Sequence, residues 1–363
     1  MHRRILLLSA YQSDSHAWWV NWLQRTFPAI DWRLLTLPGR HFKWRIRGNP
    51  LSWIDRIGAA CEGVDQVLAT SMVDLATLRG LCPALGRIPT VYYFHENQFA
   101  YPVGPGQRHT IEPRVVQLYG ALAADRLLFN SEWNRASFLD GVDALLARMP
   151  DAVPDEVATR LGRRSAVLPV PIAATAAPQT APQIAPRDPG LIVWNHRWEY
   201  DKAPEVFARA LDRLVEAGHD FRLALLGPRA PKPPTVLREL GELFRRHIIA
   251  NGCLPSADYT AVLQRAGIVV STAIHEFQGL GVLEAAAAGA VPLVPDALVY
   301  PEQYPAIYRY AAGDADALAR CLSQWLISPP PPPDVTAWCE NALVGPWGRV
   351  LGETAFSADR GAG

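Results

Sequence analysis

The sequence predicts an α/β protein with two Rossmann-like domains, and three observations support this prediction. Short hydrophobic runs recur along the chain and are followed by helical patterns, as in parallel sheets. A segment rich in proline and alanine, 173–190, separates two such series. The length of 363 residues exceeds that of one ordinary domain. We therefore expect a first domain at 1–172, a linker at 173–190, a second domain at 191–328 and a final helix at 334–363 that crosses back to the first domain.

The individual elements follow from the same hydrophobic pattern. Strands are expected at 4–10, 31–37, 65–70, 90–94, 126–130 and 166–170, and in the second half at 191–195, 221–227, 267–270 and 291–294. Helices are expected at 17–27, 204–217, 259–266 and 335–350, with Ser131 as an N-cap. In open parallel sheets of this kind, ligands bind beyond the carboxyl ends of the strands.

Composition restricts the class of protein. Basic and acidic residues both number 35, so no net charge indicates a nucleic-acid or membrane partner. The five cysteines are scattered and odd in number, which favours neither a disulfide framework nor a zinc site. The apolar run 5–8 is too short for a signal peptide or a membrane span. A soluble cytoplasmic protein without a membrane partner is expected; the oligomeric state is not predicted.

The stretch 271–292 is the strongest candidate site. A buried strand ends in a loop with His275 and Glu276, and Gly279, Leu280 and Gly281 then open an alanine-rich helix that carries Glu284. A glycine-rich turn at a helix start lets an anionic ligand approach backbone N–H groups. Two acids beside such a turn suit a nucleotide sugar, which is anionic at its centre and rich in hydroxyls at both ends. The alternative is an amphipathic helix with one solvated glutamate.

Two cations follow the first strand of the second domain. Arg197 and Lys202 lie at the expected carboxyl end of this strand, where a diphosphate would need paired positive charges. The alternative is a pair of surface salt bridges with Glu199 and Asp201.

Histidines occupy the equivalent position in the first domain. His16 follows the first strand, and His95, Glu96 and Asn97 follow the fourth. The latter segment is not a zinc H-E-x-x-H motif, because position 99 is phenylalanine. The D-x-D sequence that begins at Asp314 is better explained as negative charge at a helix start. No metal is expected.

A basic-aromatic segment lies after the second strand. It contains Arg40, Lys43, Trp44, Arg45 and Arg47. Cations neutralise phosphates and aromatic rings stack on bases, so this composition suits RNA. The alternative is a solvated loop with Trp44 packed on the core.

With these motifs, the sequence resembles the tRNA-queuosine mannosyltransferase family, a branch of the family-4-type retaining glycosyltransferases with the GT-B fold. The likeness spans nearly the whole chain and is carried by positions 36–38, 43–45, 93–98, 101–102, 129–131, 194–199, 201–202, 252–255, 259, 271–272, 275–277 and 298–302. The E-x7-E spacing of Glu276 and Glu284 is typical of the donor motif in such enzymes. Two departures are the absence of glycine between Ala10 and Phe27 and the presence of Gln278.

The resemblance implies two sheets facing a central cleft, and transfer of mannose from GDP-mannose to the cyclopentenediol of queuosine in a tRNA anticodon with retention of configuration. No cofactor is implied beyond this co-substrate. In the implied site Arg197 and Lys202 bind the diphosphate, with backbone N–H groups from 279–281; Glu276 holds sugar hydroxyls, Glu284 the ribose, and His95 contacts the donor sugar. Glu96 and Asn97 support His95 or meet the acceptor. The segment 40–47 contacts the tRNA, and His16 is a further candidate for an acceptor contact.

Two other functions stay open at this point. The acceptor could be a lipid, a glycan or a small metabolite, which the neutral overall charge favours. The chain could instead be a sugar-nucleotide epimerase or a nucleotide-binding module on the same fold. For the transferase, we expect Glu276→Ala and Lys202→Ala to abolish transfer in folded protein.

Overall fold

The computed structural model describes residues 2–102, 110–173, 186–229 and 234–352. The chain divides into two compact units, each built around a parallel sheet. The N-terminal unit comprises Met1–Pro171 and Ala342–Gly363, and the C-terminal unit comprises Ile172–Asn341. The final helix therefore begins at the end of one unit and belongs mostly to the other.

The N-terminal unit has a sheet of six described strands in the order β2-β1-β3-β4-β5-β6, all parallel. Its elements are β1 (Arg4–Gln12), α1 (Asp14–Thr26), β2 (Asp31–Pro38), α2 (Phe42–Ala60), β3 (Gln66–Thr70), α3 (Leu75–Leu81), β4 (Thr90–Phe94), α4 (Glu112–Ala123), β5 (Arg126–Phe129), α5 (Glu132–Leu146), α6 (Val157–Arg163) and β6 (Ser165–Val167). Central strands such as β3 and β4 are buried along their whole length because helices cover both faces of the sheet.

The C-terminal unit repeats this architecture with six described parallel strands in the order β12-β11-β10-β7-β8-β9. Its elements are β7 (Asp188–Asn195), α7 (Pro204–Glu216), β8 (Arg222–Leu226), α8 (Thr235–Leu243), β9 (Ile248–Gly252), α9 (Ser256–Arg265), β10 (Ala266–Val270), α10 (Leu280–Ala287), β11 (Val291–Pro295), α11 (Tyr300–Gln303), β12 (Arg309–Tyr310) and α12 (Ala315–Ile327). The chain reverses direction across the sheet between the central strands β7 and β10. The carboxyl ends of these two strands are where a doubly wound sheet binds its ligand.

Most predicted elements are present, with ends shifted by a few residues. Strand β7 begins at Asp188, inside the segment predicted as linker, while positions 174–185 of that segment lie outside the described residues. The predicted helix 335–350 is a 3₁₀ turn, Thr336–Trp338, followed by α13 (Glu340–Leu351). The indole of Trp347 on α13 is fully buried and donates a hydrogen bond to the Pro169 carbonyl. Positions 353–363 of the predicted final helix also lie outside the described residues.

The basic-aromatic segment is not the predicted loop. From Phe42 onward it is the first turns of α2, which continues through Pro50. Proline has no N–H group for the carbonyl one turn before it. Asn49 compensates, because its buried amide donates to the carbonyls of Arg45 and Ile46 and to that of Met72. Helix α2 therefore continues through Pro50, although proline normally interrupts a helix.

No helix in the described part of the chain is long and apolar enough to cross a membrane.

Candidate active site

The polar side chains of the C-terminal unit converge at the carboxyl ends of β7 and β10. Strand β7 leads through His196 and Arg197 into a 3₁₀ turn, Tyr200–Lys202, and strand β10 leads into the segment with His275 and Glu276. Backbone bonds tie the two segments together: Ile274 N–H donates to the Asp201 carbonyl over 2.9 Å. The Thr272 hydroxyl donates to the Lys202 carbonyl over 2.7 Å.

Lys202 is the centre of this cluster. Its side chain is only 6% exposed, and Nζ donates to the His275 carbonyl at 2.7 Å and to Glu276 Oε2 at 3.2 Å. The same Nζ lies 3.1 Å from Asp201 Oδ2. Asp201 also accepts an interaction from His275, whose Nδ1 lies 3.7 Å away. The predicted salt bridge between Lys202 and Asp201 is present, but it is buried within the site and not on the surface.

The pKa values of these groups follow from burial opposed by opposite charge. Burial raises the pKa of Glu276, but the ammonium of Lys202, together with smaller contributions from His196, His275 and the Gly279 backbone, brings it to about 2. Asp201 behaves in the same way: burial raises its pKa, and His275 and Lys202 together hold it well below its ordinary value. Burial lowers the pKa of Lys202, yet the two carboxylates raise it above the usual value. The cluster therefore keeps one cation and two anions at neutral pH.

The glycine turn has the geometry that the sequence predicts. Gly279 has φ +69° and is the N-cap of α10, so its left-handed backbone favours glycine. A Cβ on Gly281 would lie 2.7 Å from the Asn195 carbonyl oxygen, so only glycine allows α10 to approach β7 this closely. A backbone hydrogen bond from Gly279 also lowers the pKa of Glu276. The helix start and the first acid of the E-x7-E pair therefore form one compact turn.

Glu284, the second acid, is held by a chain of two hydrogen bonds. The Tyr259 hydroxyl donates to Glu284 Oε2 at 2.5 Å, and Asn195 Nδ2 donates to the same hydroxyl at 2.7 Å. Asn195 Nδ2 also donates to the Gly281 carbonyl at 2.9 Å. Burial raises the pKa of Glu284, while the hydrogen bond from Tyr259 opposes this. The carboxylate is thus fixed by side chains from β7 and α9.

Arg197 differs from Lys202 in its exposure. Its side chain is 51% exposed and Nη1 lies 3.2 Å from Glu199 Oε1. The alternative of a surface salt bridge therefore describes Arg197, which a ligand can still reach. Its neighbour His196 is buried, and burial together with the charge of Lys202 lowers its pKa to about 4. His196 is consequently a neutral imidazole beside the cation.

In the N-terminal unit, His16 and His95 pack against each other. Their rings meet edge to face with centroids 4.0 Å apart, and Ser13 Oγ lies 2.7 Å from His16 Nδ1. Trp19 and Tyr93 enclose the ring of His95 at 4.8 and 4.6 Å. Burial, and secondarily the proximity of His16, holds the pKa of His95 well below the ordinary histidine value. His95 Nε2 is buried and has no hydrogen-bond partner among the described residues, so this atom can serve an incoming polar group.

The two residues after His95 have different environments. Glu96 is half-buried, and its Oε1 accepts a hydrogen bond from Gln98. Asn97 is fully buried, and its amide donates to Asn134 and Ser137. Its Oδ1 accepts from two backbone N–H groups of the same loop. These hydrogen bonds give the Asn97 side chain a structural role in this loop, and the predicted contact with the acceptor stays a prediction.

The basic-aromatic residues divide into two groups. Arg40 and Lys43 are exposed and pair with no carboxylate among the described residues, and Trp44 is 55% exposed. Arg47 instead contacts Asp74 at 2.6 Å and Glu112 at 3.4 Å, which gives it a structural role. Arg45 is half-buried. The alternative in which Trp44 is packed on the core is wrong.

The D-x-D sequence has the predicted place at a helix start. Asp314 is the N-cap of α12, and its Oδ1 accepts from Ala317 N–H at 2.8 Å. No group of three His, Cys, Asp or Glu side chains suited to a metal ion occurs in the part of the chain that the structure describes. The expectation of a metal-free enzyme stays a prediction.

Several side chains of the site were not predicted from the sequence. From the sequence, Asp201 is expected only as a surface partner of a cation, and Asn195 and His196 have no predicted role. Tyr259 lies 64 residues from Asn195 and 25 from Glu284, so sequence spacing gives no signal for their contact. The sequence signal for a hydrogen-bonding role of Asn195 is its position at the end of a strand, directly before His196 and Arg197.

Sequence comparison gives two family matches that together cover most of the chain. Residues 4–172 match the family described as tRNA-queuosine alpha-mannosyltransferase N-terminal, and residues 189–327 match glycosyl transferases group 1. A tRNA-queuosine alpha-mannosyltransferase of Drosophila melanogaster is 32% identical over 319 residues, covering 86% of this chain and 84% of that protein.

Structural comparison supports the fold class. The Anabaena protein HepE, solved with UDP and glucose, matches with a TM-score of 0.64 at 13% identity over 90% of each chain. Sucrose-phosphate synthase of Thermosynechococcus elongatus matches with a TM-score of 0.64 at 16% identity, over 96% of this chain and 94% of that one. The predicted GT-B fold class is confirmed.

Proposed function

This chain belongs to the tRNA-queuosine alpha-mannosyltransferase family of glycosyltransferases, and we propose that it transfers mannose from GDP-mannose to a cyclopentenediol hydroxyl of queuosine in a tRNA anticodon. The observation that supports this best is the Lys202–Glu276 ion pair beside the Gly279 turn, which combines the groups that a sugar diphosphate requires. The name of the Drosophila relative supports the choice of queuosine-bearing tRNA and of mannose.

The donor is assigned to the C-terminal unit. The diphosphate binds Arg197, Lys202 and the free N–H groups at the start of α10, because helix N-termini favour anions. Glu276, ionised by its ion pair with Lys202, accepts hydrogen bonds from sugar hydroxyls. Glu284, oriented by Tyr259, accepts hydrogen bonds from the ribose.

The chemistry needs no protein nucleophile. As the bond between the anomeric carbon and the diphosphate oxygen breaks, the acceptor hydroxyl oxygen bonds to the same face of that carbon. The hydroxyl proton passes to the departing diphosphate oxygen, so GDP leaves and configuration is retained. Lys202 and the α10 N–H groups stabilise the negative charge that grows on the diphosphate. The buried Asp201–Lys202–Glu276 cluster holds these groups in place before the reaction, which reduces the reorganisation required.

The acceptor is assigned to the N-terminal unit. Arg40 and Lys43 provide exposed positive charge for phosphates, and Trp44 provides an exposed aromatic ring. His95 offers its buried Nε2 to a polar group of the substrate, and its depressed pKa keeps the ring neutral at physiological pH. His16 and Ser13 position His95.

The decisive experiment supplies the purified protein with GDP-mannose and tRNA that carries queuosine, then digests the tRNA and determines nucleoside masses. A gain of one hexose on queuosine, absent with tRNA that has guanosine at that position, is expected. Transfer only to a lipid, a glycan or a small metabolite would contradict the tRNA acceptor. Conversion of GDP-mannose to an epimer without any acceptor would contradict the transferase itself.

A further inference from the structure

The indole of Trp44 lies directly on the backbone of α2. A Cβ placed on Gly48, one turn further along, would lie 2.3 Å from Trp44 Cε2 and 2.6 Å from both Cδ2 and Cζ2. Two of these atoms are the ring-fusion carbons, so the middle of the indole covers Gly48. Only a residue without a side chain leaves this space. Trp44 as a whole is nevertheless 55% exposed.

This arrangement is unusual for an exposed hydrophobic residue. Single exposed apolar side chains are common on protein surfaces and need no explanation. Here, however, the indole is accommodated by a glycine in the interior of a helix, where glycine is a poor helix former. The Trp44 ring thus packs on the helix backbone at Gly48, although it is not part of the hydrophobic core.

The helix beneath the ring is firmly attached to the N-terminal unit. Asn49, next to Gly48, is fully buried and bonds to the Met72 carbonyl, and its Oδ1 accepts the Asp74 N–H at 3.2 Å. Arg47 bonds to the buried carboxylate of Asp74. The indole therefore rests on a fixed surface, and its exposed part requires little ordering when a partner binds.

Two basic residues precede Trp44 in the sequence, one before and one within the first turn of α2. Arg40 and Lys43 are exposed and have no carboxylate partner among the described residues. A flat aromatic surface beside unpaired cations matches a single-stranded nucleic acid, whose bases stack on aromatic rings while its phosphates bind the cations. Exposed Leu51 and Ile54 lie further along α2, away from these cations, and a protein partner would use them as well.

We propose that Trp44, supported by Gly48, is a stacking platform for an unpaired base of the tRNA anticodon loop. This inference rests on the proposed tRNA acceptor and adds the residue pair that recognises the RNA without reading its sequence. Arg40 and Lys43 bind the phosphates on either side of the stacked base.

The test compares Trp44→Ala, Gly48→Ala and Trp44→Phe for transfer to queuosine-bearing tRNA and for tRNA binding over a range of salt concentrations. Loss of one stacked base predicts a decrease of about tenfold in kcat/KM for tRNA in Trp44→Ala. Gly48→Ala displaces the ring and should show a similar decrease although position 48 has no side chain to contact RNA. Trp44→Phe should keep most of the activity, and the KM for the nucleotide sugar should be the same in all three.

Salt dependence separates stacking from charge. Trp44→Ala should leave the slope of log Kd against log salt unchanged, whereas Lys43→Ala should reduce it by about one. Leu51 is an exposed residue on the same helix, and Leu51→Ala is therefore the matched control. Its tRNA affinity and salt dependence should equal those of the wild type.

Equal kcat/KM for tRNA in wild type, Trp44→Ala and Gly48→Ala would overturn the platform while leaving the proposed function intact. A wild-type protein without activity on tRNA would overturn the proposed function itself. A Trp44→Ala or Leu51→Ala variant that converts a dimer to monomers, with unchanged tRNA kinetics, would identify the face as a protein interface and also overturn the platform.

Discussion

The Tyr259 hydroxyl donates a hydrogen bond of 2.5 Å to Glu284 Oε2 while it accepts one of 2.7 Å from Asn195 Nδ2. The three side chains come from α9, α10 and the end of β7, so the contact joins three separate elements. A carboxylate held in this way has a fixed orientation before any ligand arrives. Tyr259 is therefore a positioning residue that acts through Glu284.

Replacement of Tyr259 by phenylalanine removes this hydrogen bond and keeps the ring. Since a hydrogen bond to a charged group contributes roughly 1.5–3 kcal/mol, we expect the KM for the nucleotide sugar to rise about tenfold with kcat little changed. Steady-state kinetics with varied donor measures this. Tyr119→Phe, at an exposed position, is the matched control.

The same variant has a pH signature. Burial raises the pKa of Glu284 and the Tyr259 hydrogen bond lowers it, so Tyr259→Phe should raise that pKa further. In the proposed donor site the ribose binds the ionised carboxylate, and the KM of the variant should therefore increase more steeply than that of the wild type as pH falls. A parallel pH dependence in the two proteins would argue against the positioning role.

Glu276→Gln and Lys202→Ala should have different effects on stability. The glutamine keeps the size of Glu276 but removes the charge that pairs with Lys202, so transfer should fall at least a hundredfold. The free energy of unfolding should fall less than in Lys202→Ala, because Asp201 still pairs with the cation. Lys202→Ala leaves two buried carboxylates without their cation, and we expect it to lower the free energy of unfolding by about 3–5 kcal/mol. The sequence alone predicts that Glu276→Ala and Lys202→Ala are folded and inactive; the buried cluster adds the expectation that Lys202→Ala is also less stable.

Urea denaturation together with activity assays distinguishes the two variants. Equal midpoints for Lys202→Ala and wild type would show that the cluster does not support the fold. Retained transfer in Glu276→Gln would remove Glu276 from the site.

His196 makes stability depend on pH in a defined window. Its pKa is about 4 in the folded protein and about 6.5 unfolded, so the unfolded chain binds the extra proton between these values. Stability is thus full above pH 6.5 and decreases as pH falls toward 4, by about 2 kcal/mol at pH 5. His196→Gln should lack this part of the decrease when unfolding is compared at pH 7 and pH 5. An identical decrease in both proteins would refute the assignment.

Ionisation of Glu276 affects the stability of the protein at a lower pH than His196 does. The pKa of Glu276 is about 2 in the folded state, below the value of 4.5 expected for the unfolded chain. Its stabilising contribution is present above pH 4.5 and is lost as pH falls through about 2. Measurements between pH 5 and pH 7 therefore report on histidines and leave the ion pair intact.

Asn97→Ala tests the structural role found for this residue. The change leaves two buried backbone N–H groups of its loop without an acceptor, so the free energy of unfolding should fall by about 2–3 kcal/mol. At temperatures where the variant is folded, the KM for tRNA should equal that of the wild type. An increased KM with unchanged stability would support the predicted acceptor contact.

The sequence predicts what depends on local pattern. The strand β10, the turn at Gly279 and the Glu276–Glu284 spacing lie within one short stretch, and hydrophobic periodicity plus glycine placement are sufficient to assign them. The same holds for the capping role of Asp314.

Elements that depend on tertiary compensation were missed. Helix α2 contains Gly48 and Pro50, which by local rules favour a loop, and only the buried amide of Asn49 makes the helix continuous. Strand β9 lies at the edge of its sheet and is partly exposed, and its apolar run covers only positions 248–250, so it lacks the fully buried apolar run of a central strand. Contacts such as Asn195–Tyr259 arise from the fold and have no counterpart in sequence spacing.

The neutralised state of Lys202 has a consequence for how the donor is captured. Two carboxylates already outnumber this cation, and Arg197 lies beside Glu199, so the site projects no net positive potential into solution. Encounter with a nucleotide sugar should therefore gain little from long-range attraction, and the association rate should vary only weakly with ionic strength. Selectivity for the donor would then depend on how long the complex persists, which the short contacts inside the C-terminal unit determine.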